Sequence, residues 1–319
     1  MTITHPAAPA PAPQTAESVT YDQLARVTGR HDWWRPIIGT FVLLGLTVVG
    51  MILVFARFES IATSLDFPMD ADGMRIYDDL TETALSLATI AMGLPALALT
   101  LWWFQRRTWG SVTSVTGRLR RSWLAGCFAV ALVVFVISAV IMGVVGALTE
   151  PETTTSEDVW VGWGTFAVGL LMLLYLVPLQ AAAEEFLFRG WLLQATGSFL
   201  RNPILIVIPQ ALLFAAAHGW GTVWGFIDLT VFGVVVGWLT IRTGGLEAAI
   251  ALHVTNNLTA FIMSSMYVGG LATDETAADM PWQYALVDMG MIVLFAVLIL
   301  QLAKRFKPAV QLNASASRS

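Results

Sequence analysis

Apolar runs long enough to cross a bilayer recur along the whole chain, at about 37–55, 84–104, 123–148, 166–187, 204–217, 223–241, 246–266 and 284–302. No other feature limits the fold so strongly. Inside lipid, backbone N–H and C=O groups have no water to bond, so a segment that stays there must satisfy them internally, as a helix or a closed barrel does. Runs of about 20 residues fit the helix, since a barrel strand needs only about 9–11. The chain is therefore expected to be all-α, a polytopic transmembrane helix bundle of about eight spans, the fifth being the shortest. Composition agrees: of 319 residues, 56% are hydrophobic and 12% charged, against about 25% charged in a typical soluble domain.

Everything before Ile37 is polar or Pro/Ala-rich, which argues against a cleaved secretory signal, and His5 to Thr15 read as a disordered tail. The organisation expected is a disordered, polar cytoplasmic tail at 1–32, three spans within 33–158, a helical core at 159–268, and a last span with a cytoplasmic tail at 269–319. Basic residues cluster on one side of the predicted spans: Arg26, Arg30 and Arg35, then Arg106, Arg107, Arg118, Arg120 and Arg121, then Lys304, Arg305 and Lys307. Acidic residues fill the opposite loops, among them Asp70, Asp72, Asp78, Asp79 and Glu82, then Glu150, Glu152, Glu157 and Asp158, then Asp274, Glu275 and Asp279. Arg57, Arg75 and Glu247 are the exceptions. Positive-inside bias then puts both termini in the cytoplasm, as an even number of spans requires. A net charge of −5 says little about partners when the two faces differ so much. The partners expected are the lipid bilayer and a membrane-embedded or lipidated peptide, and no nucleic acid. The lone cysteine, Cys127, cannot make an intrachain disulfide.

Polar residues inside the spans carry the functional signal. Glu184, Glu185 and Arg189 lie at the end of the fourth apolar run. Each intramembrane charge costs about 2.5–3.5 kcal/mol on insertion scales, and the default reading is a site facing the bundle interior or a wet cavity. Glu185 and Arg189 are four apart on one helix face, acid before base, the favourable order for a pair. Glu184 points elsewhere, which leaves it the freer carboxylate for proton work. The bland alternative is a structural ion-pair cluster.

Of four histidines, His218 and His253 lie in apolar surroundings. Phe214 and His218 share a face at i,i+4, as do His253 and Asn257. A lone membrane histidine is often only an interhelical hydrogen bond. Two of them, with an asparagine and an upstream acid pair, suit water activation and oxyanion stabilisation.

These residues carry a resemblance. Glu184-Glu185-Phe-Leu-Phe-Arg189 fits EExxxR, Phe214-Ala-Ala-Ala-His218 fits FxxxH, and His253-Val-Thr-Asn-Asn257 fits HxxxN, in that order. The chain is similar to the CPBP (CaaX protease and bacteriocin-processing, Abi-type) intramembrane endopeptidases, which include the type II CaaX prenyl endopeptidases. The similarity runs roughly from Trp163 to Met266. It implies that Glu184 works with His218 to activate water, that His253 and Asn257 stabilise the oxyanion, and that Glu185, Arg189 and Phe214 support them. It also implies an integral multi-pass protein, here of a bacterial cell membrane, and a CPBP-like core at 159–268.

The need for a cofactor stays open at this point. Glu184, His218 and His253 could form a His₂Glu zinc site, yet the HExxH signature is absent and the metal-free mechanism is preferred. Asp78 lacks a GxGD partner and no Ser stands in a Gly-x-Ser context within the motif helices, which disfavours aspartyl and serine chemistry. A proton-coupled transporter, a non-catalytic scaffold and a bacteriocin-immunity protein are the rival classes. Asp228 reads either as orienting His218 or as lining a wet cavity, and Asp288 as snorkelling near the outer opening. Gly233 and Gly237 form a GxxxG step for helix packing, and Trp33, Trp34, Trp102, Trp103, Trp160 and Trp163 read as interfacial anchors. By counting, Glu184 falls near the cytoplasmic end of its span and His218 near the far end of the next. The two meet only through kinks, tilt or re-entry, for which Pro178 and Pro209 are the places.

Overall fold

Each of the eight apolar runs forms a helix in the structure, a computed structural model that describes residues 18–149, 159–272 and 276–313. They are α1 (Arg35–Ser64), α2 (Asp79–Gln105), α3 (Arg121–Thr149), α4 (Trp163–Gly197), α5 (Pro203–Ala217), α6 (Val223–Thr243), α7 (Glu247–Ser264) and α8 (Trp282–Phe306). The fold is an all-α polytopic bundle. Six of these helices are long and apolar enough to cross a membrane. Of the other two, α5 has 15 residues, about 22 Å at 1.5 Å per residue. The apolar character of α7 is diluted by Glu247, His253, Asn256 and Asn257. The His5–Thr15 tail and the acidic residues Glu150, Glu152, Glu157, Asp158, Asp274 and Glu275 lie outside the described residues.

Helix ends follow local chemistry. The Asp78 side chain accepts the Thr81 N–H at the start of α2, Asn202 caps α5 ahead of Pro203, and Gly244 ends α6 in the left-handed conformation. In the bundle α7 packs against both α4 and α3, while α6 packs against α5 and α8. The α5–α6 crossing depends on small residues: a Cβ on Gly233 would lie 2.7 Å from the Ala211 Cα, and one on Gly237 would lie 2.6 Å from the Gln210 Nε2. Gly233→Leu is therefore expected to force the helices apart and cost about 1–3 kcal/mol. Thermal unfolding in detergent checks this, and an unchanged midpoint refutes it.

The fourth helix differs from its expected limit near residue 187. It runs on through a π-helical stretch, Phe186–Leu192, to Gly197. The apolar run stops where buried polar residues begin, but Arg189 and Gln194 are both fully buried and bonded inside the protein, so the helix continues. This longer course removes the depth difficulty. At 1.5 Å per residue, Glu184 lies about 20 Å from Gly197 and His218 about 22 Å from Pro203, and α4 and α5 are joined at those ends.

The stretch before α1 is not all tail. Ser18–Thr20 (β1) pairs antiparallel with Gln311–Asn313 (β2), Ser18 opposite Asn313. Tyr21 and Leu24 are buried in a cluster with Val112, Trp191 and Leu193, and the Tyr21 hydroxyl donates to the Val112 carbonyl. Two large apolar side chains in one turn are enough to fold this segment onto the bundle. The strand pair brings the two ends of the described chain to one end of the bundle, as an even number of crossings would. Two of the charge exceptions are neutralised locally: Arg75 meets Glu59 at 2.8 Å and Glu247 meets Arg120 at 2.6 Å.

Candidate active site

Around the first motif, helix α4 buries Gln180, Glu184, Glu185 and Arg189. The i,i+4 spacing makes two pairs. Arg189 Nη1 donates to Glu185 Oε1 at 2.8 Å, both side chains being 0% exposed. The Arg189 guanidinium also lies 4.2 Å from the Phe214 ring centre and 5.3 Å from that of Phe232, so aromatic faces meet the part of its charge that no carboxylate meets. Gln180 Nε2 donates to Glu184 Oε1 at 2.6 Å.

His253, from α7, joins the two acids. Its Nδ1 lies 2.7 Å from Glu185 Oε1 and its Nε2 lies 3.5 Å from Glu184 Oε2. An ionised carboxylate only accepts, so the short contact places a proton on Nδ1, the tautomer in which Nε2 carries the lone pair. One turn on, Asn257 Nδ2 donates to Gln180 Oε1 at 3.1 Å. A hydrogen-bonded chain thus runs from Asn257 through Gln180 to Glu184. Glu184 Oε2 is buried and makes no hydrogen bond.

The structure places His218 just past the end of α5, its Nδ1 2.9 Å from the Phe214 carbonyl. Phe214 is the hub of this end: its ring centre lies 4.6 Å from that of His218 and 5.8 Å from that of His253. His218, His253 and Asn257 line one cavity of about 450 Å³. Glu184 is not on its wall and reaches it through His253. All the residues singled out by the three motifs therefore belong to one connected neighbourhood, but the imidazole beside Glu184 is that of His253 rather than His218.

Three features differ from expectation or were missed. Asp288 does not snorkel outward; with Asp228 it lines the same cavity. Of the two readings of Asp228, the cavity-lining one fits: it stands on that wall, and the His218 ring nitrogen Nδ1 bonds the Phe214 carbonyl instead. Gln180 was overlooked although it lies four residues before Glu184, the spacing that revealed the Glu185–Arg189 pair. As for a metal, no three or more His, Cys, Asp or Glu side chains among the described residues are gathered to hold one. The bonds at His253 Nδ1, His218 Nδ1 and Glu184 Oε1 leave the other nitrogen or oxygen of each as a potential ligand, so what such a site lacks is convergence of the three. The set Glu184, His218 and His253 does not fit a three-ligand zinc site as it stands.

A polytopic helical bundle with a buried carboxylate–imidazole centre opening on an internal cavity defines a membrane protein with an intramembrane polar site. Residues 165–259 match the family described as type II CAAX prenyl endopeptidase Rce1-like, a match that includes all three motifs. This similarity supports a membrane endopeptidase of the CPBP type, in general terms an intramembrane CAAX-type protease, and the chain is an integral multi-pass membrane protein. The chain is also 27% identical over 296 residues to a Bacillus subtilis (strain 168) protein named Uncharacterized protein YyaK, covering 89% of this chain and 97% of that one. No solved structure matches significantly.

Proposed function

We propose that this protein is an intramembrane endopeptidase that hydrolyses a peptide bond of a membrane-associated or lipidated peptide, with Glu184 as general base. The observation that carries the reading is Glu184 Oε2, buried without a hydrogen bond and facing His253 Nε2 at 3.5 Å, the nitrogen that is an acceptor when the proton sits on Nδ1. Two acceptors this close are reconciled by a molecule that donates to both, and water does so with its two O–H bonds. Such a water is oriented and polarised for attack. Its proton passes to Glu184 Oε2 as the oxygen–carbon bond forms; the carbon–nitrogen bond then breaks and Glu184 returns the proton to the leaving amine.

The other residues take supporting parts. Glu185 fixes the tautomer and orientation of His253 through Nδ1, and Arg189 holds Glu185 in place. Asn257 spends one amide hydrogen on Gln180 and keeps a second for an oxyanion at the cavity margin. His218, with Nδ1 on the Phe214 carbonyl, has Nε2 available to accept or relay a proton in the cavity. Geometry thus favours His253 over His218 as the immediate partner of Glu184, while both remain at the site.

Gln180 acts on this reading as a positioning residue, since it pins the Glu184 rotamer and leaves Oε2 facing His253. Gln180→Met keeps the volume and removes the amide. It is expected to lower kcat about tenfold with KM nearly unchanged, because the interaction matters to the reacting carboxylate and not to substrate uptake. Single-turnover and steady-state assays measure the split; a purely raised KM contradicts the assignment.

Cleavage itself is tested with protein reconstituted into liposomes without any ion gradient, by mass-spectrometric search for new peptide ends. A protease produces them; a proton-coupled transporter needs the gradient and produces none. Activity is expected to survive prolonged chelation, with bound zinc well below one per protein. Loss of turnover on chelation and its return with zinc would replace the carboxylate mechanism by a metal-assisted one.

A further inference from the structure

Two carboxyl groups that the proposed chemistry does not use lie in the same cavity. Asp228, on α6, is 4% exposed and its Oδ1 makes no hydrogen bond. Asp288, on α8, lines the same cavity, together with His218 and His253. Among the described residues neither acid forms an ion pair with Lys, Arg or His. A buried acid pair in an apolar wall is costly unless something positive meets it.

We propose that Asp228 and Asp288 form a recognition subsite for a basic side chain of the peptide substrate, one or two residues from the bond that is cut. This rests on the protease reading above for what the peptide is, though not for whether the subsite binds. A guanidinium offers donors in a planar fork that reaches two carboxylates at once and neutralises charge that nothing else on the wall meets. The neighbouring wall is made by Met142, Met291 and Ile292, an adaptable apolar surface for the methylene stem of arginine or lysine. The distance is set by α6. Asp228 and Phe232 are one turn apart on one face, a rise of about 6 Å, and the Phe232 ring centre lies 5.4 Å from that of His253. A side chain extending from a residue beside the scissile bond spans that gap. Of the two helices, α6 lies within the segment that matches the family and α8 outside it.

The test uses Glu184→Gln protein in lipid nanodiscs, which on the proposed mechanism binds without turning over. The probes are palmitoylated alanine/leucine peptides carrying arginine, norleucine or glutamate at each central position in turn. At one or two positions arginine is expected to bind at least tenfold tighter than norleucine, with glutamate weakest. Adding Asp288→Asn should reduce the arginine preference to less than twofold, and Asp228→Asn should do the same, with thermal unfolding used to verify that each variant is folded. Equal binding of arginine and norleucine at every position overturns the proposal, and that comparison needs neither aspartate variant. A preference that survives both substitutions also overturns it. Wild-type protein incubated with the same peptides separates the two readings: arginine preference without any cleavage keeps the subsite and removes the protease, while cleavage without preference does the reverse.

Discussion

Glu184→Gln is expected to leave a folded, membrane-inserted protein whose peptide hydrolysis falls by about 10²–10⁴-fold, the range that general base catalysis supplies. The amide keeps the volume of the acid and can keep the bond with Gln180, so little packing is disturbed. What changes is Oε2, the buried oxygen opposite His253 Nε2. An amide there cannot take the water's proton, whichever way it is turned. Rate and thermal unfolding are measured on the same reconstituted sample. Full activity in the variant removes Glu184 from the mechanism, whereas a collapse of stability together with activity turns it into a structural acid.

Glu185→Gln is expected to act in the opposite sense, mainly on stability. Glu185 shares Oε1 between Arg189 Nη1 and His253 Nδ1, and all of Glu185 and Arg189 is shut away from solvent. Removing one partner of a buried pair strands the other charge, which costs about 3–5 kcal/mol. The double variant Glu185→Gln/Arg189→Leu removes the stranded charge and should recover a good part of the loss, which a coupling of this kind requires. Denaturant or thermal titrations of the four proteins in one detergent measure the cycle. Additive effects, with no recovery in the double variant, contradict the account.

Much of this architecture was legible because lipid leaves the backbone so few options. The apolar runs located all eight helices, and the i,i+4 rule placed Glu185 against Arg189 before any coordinate was known. The end of α4 was read short for a physical reason: hydropathy treats Arg189 and Gln194 as polar surface, whereas internal partners let both be buried. The same blind spot hid Gln180, whose importance lies in the bonds it makes to Glu184 and to Asn257 on another helix. Spacing along one chain cannot say which imidazole approaches an acid, since that depends on how α4, α5 and α7 meet. Hence His218 was the expected neighbour of Glu184 and His253 is the observed one. Asp288 was misread similarly: position along α8 gave its depth, but the acid opposite comes from α6.

The short antiparallel pair between Ser18–Thr20 and Gln311–Asn313 has a consequence for biosynthesis. Its two strands are separated by all eight helices, so the ladder can close only after the last helix has left the ribosome and entered the bilayer. Arg120 extends the same closure by donating to the Ala309 carbonyl while holding Glu247 at the start of α7, the helix that carries His253. The final stretch to emerge therefore clasps the helix bearing the central imidazole, and a chain still in translation lacks that clasp. Completion of synthesis and completion of the polar centre are tied to the same few residues.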